Sequence, residues 1–233
     1  IGDSMRGSLR GLTLDRLGAI DEILIVDRFF RVELASELAA SPGFRENYKQ
    51  AVPAIMFPQG TVETSTDDPQ QDRSRAGNVL VLGIESEFWD LDKSDTARPA
   101  ALAANEIILN EPLATELGVG VGDRVTLRLP KLQDINPDSP LGKKDDPVRS
   151  LPRLKVAQVI PAKGLGRFDL RASQSLSRNA YIALPTLQEA LRQEGLANAL
   201  LVAGTNPNQP PDAAASKQLA AALDPRLEDY GLL

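Results

Sequence analysis

The chain has neither cysteine nor histidine in 233 residues, and the two absences exclude different chemistry. Without cysteine there is no disulfide, no thiolate metal ligand and no thiol nucleophile. Without histidine, Ser–His triads, most zinc sites and imidazole acid–base catalysis are excluded as well. Aromatic residues make up only 4% of the chain, so a lone one in a polar stretch, such as Phe168, draws notice. No apolar run approaches the ~20 residues of a membrane helix, so no spanning helix is expected within this sequence. A basic excess is lacking too. The net charge is −6 and the pI about 4.9, which argues against nucleic acid, because phosphate binding needs a concentrated basic face.

What is present is the composition of an ordinary folded domain, 42% hydrophobic and 25% charged, long enough for one large or two small domains. Residues 105–130, NEIILNEPLATELGVGVGDRVTLRLP, are the most informative. They predict a buried strand, a helix capped by Asn110 with Pro112 in its first turn, a stop at Gly118, and a second strand. In that strand Val125, Leu127 and Leu129 alternate with Arg124, Thr126 and Arg128, giving one dry and one wet face. The glycines lie between helix and strand, the reverse of a dinucleotide loop, and so read as a structural joint.

Further strands are predicted at 23–26, 51–57, 61–66, 79–84, 156–160 and 200–203, and a last one at 228–233. A helix is expected from about 28 to 40, because Phe30, Leu34 and Leu38 repeat every four residues. Another should follow Asp212, with Ala215, Leu219 and Leu223 as its buried stripe. Residues 4–17 form an amphipathic helix candidate with Arg6, Arg10 and Arg16 between apolar positions. Three polar connections remain, at 67–75, 131–153 and 163–179.

Motifs with chemical content do not survive inspection. Residues 90–95 begin like a calcium loop, but Asp95 stands at the sixth position, where glycine is needed, and Ala101 stands where the closing glutamate belongs. Residues 141–144 lack the first glycine and the Ser/Thr of a phosphate loop. Glu85 and Glu87 share one side of a strand and offer the paired carboxylates of a hydrolase. A solvated strand face is the favoured account of them. No catalytic residue, cofactor site or metal site is assigned.

The ordered set of motifs LATELGVGVGDRVTL, residues 156–160, AYIALPTLQEAL and residues 198–223 resembles the extracytoplasmic core domain of MacB-type and FtsX-type ABC transporter permeases. The resemblance implies an α+β fold with mixed sheets and two subdomains. Residues 1–18 would continue from a removed membrane helix, which suits a chain opening on Ile1. Strand–helix–strand units at 19–75 and 197–233 would form a membrane-proximal, porter-like subdomain, and 76–196 a distal one carrying the loops 131–153 and 163–179. The implied function is mechanical and non-enzymatic. A cytosolic ABC ATPase would drive a dimeric permease in the inner membrane, and this domain, on the periplasmic side, would expel cargo or move an adaptor or lipoprotein. Arg167, Phe168 and Arg171 are the candidate contact residues, because arginine and aromatic side chains dominate interfaces. One alternative is a double-psi-barrel-like binding module, which would place 79–84, 125–129 and 156–160 in a single ring. The other is a carboxylate-dependent hydrolase.

Overall fold

The computed structural model describes residues 15–65, 73–130, 148–171, 176–206, 209–223 and 225. The expected strand at 228–233 lies outside them, as do most of the helix expected at 4–17 (residues 15–17 are helical), residues 66–72 and residues 131–147. The rest is an α+β fold built on one mixed sheet of eight strands.

The strands are β1 (Ile20–Arg31), β2 (Tyr48–Thr64), β3 (Arg75–Ile84), β4 (Glu106–Asn110), β5 (Arg124–Pro130), β6 (Val148–Ile160), β7 (Asn179–Ala183) and β8 (Leu196–Gly204). The helices are α1 (Glu33–Ala40), α2 (Phe44–Asn47), α3 (Glu111–Leu117), α4 (Leu184–Leu191) and α5 (Ala213–Ala222). Strand order is β1-β8-β2-β3-β7-β4-β6-β5, and an additional β5–β2 pairing closes the last six into a ring. Residues 79–84, 125–129 and 156–160 therefore do lie in one barrel.

β2 belongs to both parts. Its first half pairs with β8 through Ala54, and from Ile55 onward it pairs with β3 and then β5. At the changeover Asn198 of β8 substitutes for a backbone partner: its Oδ1 accepts from the Met56 N–H at 2.8 Å and its Nδ2 donates to the Met56 carbonyl at 3.1 Å. Pairing thus passes from open sheet to barrel inside β2, well before residue 75. The strands expected at 51–57 and 61–66 are one strand with register shifts around Gly60. A Cβ at Gly60 would collide with Val81, so the bend is set by close approach of backbone and side chain.

The ring has an internal two-fold relation. β2–β3 and β5–β6 are antiparallel hairpins, β3–β7 and β6–β4 are parallel pairs, and the antiparallel pairs β2–β5 and β4–β7 map onto themselves. Each half runs strand, strand, 3-10 turn (Ser86–Leu91 or Gly164–Arg167), strand, helix. Pro112 and Pro185 occupy matching first turns of α3 and α4.

Three apolar layers follow from this topology. Val79, Val81, Ile107, Leu109, Leu127 and Ile182 fill the barrel, closed by Leu113 and Leu117 of α3 and Leu187 of α4. Outside the ring, Leu80, Leu82 and Tyr181 pack with the two 3-10 turns and with Val52, Ala199 and Leu201 of the open sheet. The far face of that sheet is covered by α1, α2 and α5. β8, sandwiched between layers, is buried on both faces along most of its length.

Local expectations hold where short-range chemistry decides. Asn110 caps α3, accepting from the Leu113 N–H, and Gly118 ends it at φ 68°. Val125, Leu127 and Leu129 are buried while Arg124 is exposed. Asp212 caps α5, where Ala215 is buried and Leu219 and Leu223 are partly buried against it. The helix expected at 28–40 starts only at Glu33. Phe30 and Arg31 continue β1 beyond a register shift, paired to Ala197 and Leu196. Phe30 still shares its core with Leu34 and Leu38, so the four-residue spacing identified the face and not the element. The loop expected at 131–153 ends early, since 148–153 belong to β6.

Candidate functional site

The candidate contact segment 163–179 leaves the end of β6, turns through Gly164–Arg167, and re-enters the barrel as β7. Among the described residues it is held from within rather than loosely draped. Asn110 Nδ2 donates to the carbonyls of Gly166 at 3.0 Å and Ser177 at 2.7 Å, and its Oδ1 accepts from the Asn179 N–H at 3.1 Å. Asn179 Nδ2 donates to the Phe168 carbonyl at 2.8 Å and to the Tyr181 hydroxyl at 2.9 Å, and that hydroxyl donates to the Leu165 carbonyl. The helix cap of α3 is thus also the buried pin of the loop. One acceptor in this network, Asn179 Oδ1, has no partner among the described residues. Burial pushes the Tyr181 phenol well above its ordinary value.

The three predicted contact residues fare differently. Phe168 is 0% exposed, edge-on to Phe88 at 6.2 Å in a cluster with Trp89 and Tyr181. It anchors the loop to the core and presents no surface, which corrects its reading as an interface residue. A lone aromatic in a polar stretch gains more from burial than from exposure. Arg167 is largely covered and donates to Asp15 at 3.1 Å. Arg171 alone has a well-exposed side chain, steered by Asp169, whose Oδ1 accepts from the Arg171 N–H at 2.9 Å and from its Nε at 3.3 Å. The residues that do reach the surface here include Leu170 and Leu176, which polar composition had hidden. Leu176 borders a cleft of about 710 Å³ with Pro112, Ala162 and the Arg178–Glu116 ion pair.

The residues weighed for chemistry are also placed. Asp92 accepts from the Ser94 and Leu165 N–H groups and from the Ser94 hydroxyl, so it ties one 3-10 turn to the other. Asp90 pairs with Arg98. Glu85 and Glu87 are exposed beside a cleft at the end of β3. Among the described residues, no group of three or more carboxylates is placed to hold a metal, and no helix is long and apolar enough to cross a membrane.

No protein-family model matches the chain, and no curated protein matches it. Solved structures do. The periplasmic region of MacB from Actinobacillus actinomycetemcomitans superposes with a TM-score of 0.51 at 12% identity, covering 95% of this chain and 90% of that one. The extracellular domain of the noncanonic ABC-type transporter YknZ from Gram-positive bacteria matches with a TM-score of 0.45 at 15% identity, covering 91% of this chain and 95% of that one. The chain therefore has the fold of a MacB-like periplasmic domain. Ring closure does not separate the barrel reading from the permease reading, since the chain that closes the ring is the chain that superposes over nearly its whole length.

Proposed function

We propose that this chain is the extracytoplasmic domain of an ABC transporter permease subunit. The observation that carries the reading is the fold likeness to the MacB periplasmic region, which extends over 95% of the chain and so takes in both barrel and open sheet. In this reading the open sheet with α1, α2 and α5 lies nearest the inner membrane, and the barrel stands on the periplasmic side. Motion driven by a cytosolic ATPase reaches the barrel through β2, which alone among the described strands runs through both. At the changeover the Asn198 side chain of β8 holds both backbone groups of Met56, so displacement of the open sheet is carried into the barrel by those hydrogen bonds as well as along the strand. The full permease acts as a dimer and moves cargo, an adaptor or a lipoprotein. The chain itself performs no chemistry.

The surface that would make contact is the 163–179 segment, through Leu170, Arg171 and Leu176, with Phe168 and Arg167 holding it in place. The test uses the full-length permease with its ATPase. Leu170→Ala with Arg171→Ala should impair export or partner activation while basal ATP hydrolysis persists, because the hydrolytic site lies elsewhere. Full transport at normal protein level would remove this segment from the mechanism. Failure of the full-length protein to associate with any ATPase subunit would overturn the permease reading itself.

A further inference from the structure

The barrel's two-fold relation places two clefts at matching points, each where a 3-10 connection leaves a strand beside the start of a helix. One is the cleft bordered by Leu176. The other, of about 340 Å³, lies between the end of β3 and the start of α4 and is bordered by Glu85, Glu87, Trp89, Ala101, Leu102 and Pro185. Its chemistry is one-sided. Asp90, in the same 3-10 turn as Trp89, pairs with Arg98. The Glu85 carboxylate has no partner among the described residues, and the Glu87 carboxylate accepts only the Ser86 hydroxyl, at 3.0 Å. Arg98, the cation beside them, is committed to Asp90 and to the Ser86 carbonyl.

A second observation is independent of the acids. Trp89 is more than nine-tenths buried, at 7% exposure, and the cleft is bordered by what remains accessible. Its indole N–H donates to no described residue. That N–H is not among the buried unpartnered atoms, so solvent reaches it and it is free to donate to an occupant. The cleft is also bordered by Ala101 and Leu102, outside any helix or strand, whose peptide groups pair with no described residue.

We propose that this cleft binds a lysine or arginine side chain presented by an extended polypeptide segment of a partner protein. Such a segment supplies what the cleft lacks. Its cationic tip answers Glu85 and Glu87, and its aliphatic stem lies on Leu102 and Pro185. A backbone carbonyl takes the Trp89 N–H, and its remaining peptide groups lie alongside Ala101 and Leu102. An acidic or wholly apolar segment leaves the two carboxylates unanswered. This assignment does not depend on the permease reading.

Trp89 is the chain's only tryptophan, so its fluorescence and its single indole N–H resonance are read without overlap from another indole. The probes are capped tripeptides Ala-Lys-Ala and Ala-Arg-Ala, the same peptide with norleucine or glutamate at the centre, and butylamine. The basic peptides should shift the indole resonance saturably, and more weakly as salt rises. Norleucine should bind at least about tenfold more weakly, as expected when a charge-assisted hydrogen bond is lost. Glu85→Gln with Glu87→Gln should lower the affinity for the lysine peptide by about tenfold or more at an unchanged melting temperature. No saturable shift by about 10 mM peptide, an equal response to norleucine, or an unaltered response in the double variant would overturn the proposal. Butylamine binding as tightly as the lysine peptide would also overturn it, since the occupant would then be a small amine.

Discussion

Replacing Asn110 tests whether the 163–179 segment is held by the barrel core, as the structure shows. The side chain is fully buried and serves four backbone groups at once: the N–H of Leu113 and of Asn179, and the carbonyls of Gly166 and Ser177. Asn110→Ala strands all four. An N-cap alone is worth about 1 kcal/mol, and each buried group left unsatisfied costs about 1–3 kcal/mol. The costs are not additive, since the carbonyls can recruit water once the loop loosens. We expect a total of about 3–5 kcal/mol, near the top of the range for one substitution.

Asn110→Asp separates the cap from the pin. It keeps the acceptor that serves Leu113 and Asn179 but replaces the amide donor with an oxygen facing two carbonyls. Ionised, that carboxylate is buried against like partial charges; protonated, it can donate to one of them. The N–H groups of Leu113 and Asn179 and the helix N-terminus favour the ionised form, but we expect full burial and the two facing carbonyls to outweigh them and raise the folded-state pKa above the ordinary value of about 3.9. A raised pKa gives stability that is fully present below the unfolded value and is lost as pH rises through the folded one. Urea unfolding followed by Trp89 fluorescence, from about pH 4 to pH 8, should show the Asp variant falling away from wild type as pH rises. The Ala variant should run parallel to wild type throughout. An Ala variant within about 0.5 kcal/mol of wild type, or an Asp variant without the added slope, would refute the pinning argument.

Leu127→Asp should cost about 4 kcal/mol or more, by placing an unpaired charge in the barrel interior, whereas Arg128→Gln, which loses a half-exposed pair with Glu63, should cost under about 1 kcal/mol. Equal thermal midpoints for the two would mean that the register of β5 is wrong. Burial holds the Tyr181 phenol neutral, so wild-type stability should fall as pH rises past about 10, where the unfolded chain ionises first. Tyr181→Phe should flatten that alkaline slope in urea midpoints, and an unchanged slope would mean that the hydroxyl is accessible.

Features decided within a few residues were legible in the sequence. The Asn110 cap, the Gly118 stop, the β5 alternation and the Asp212 cap each rest on one turn or one strand. What escaped depends on partners far away in sequence. β1 runs on to Arg31 because β8, more than 160 residues later, supplies the pairing; an uncapped helix start at Val32 left no local mark of the boundary. Phe168 was misread because its neighbours are polar, yet a better signal lay beside it. Gly164 and Gly166 flank Leu165, and a Cβ at either glycine would strike Asp92 or the Pro161 carbonyl, so this segment had to press against something. The triplets Trp89-Asp90-Leu91 and Phe168-Asp169-Leu170 echo one another across the two halves of the barrel, and both aromatics are buried in one cluster. The same two-fold relation links the two clefts, so the fold offers one position twice and the side chains differentiate the copies. Around Glu85 and Trp89 the surroundings accept a cation. Around Leu176 the cation and the carboxylate of Arg178 and Glu116 already answer each other, and what is left to a partner is apolar surface.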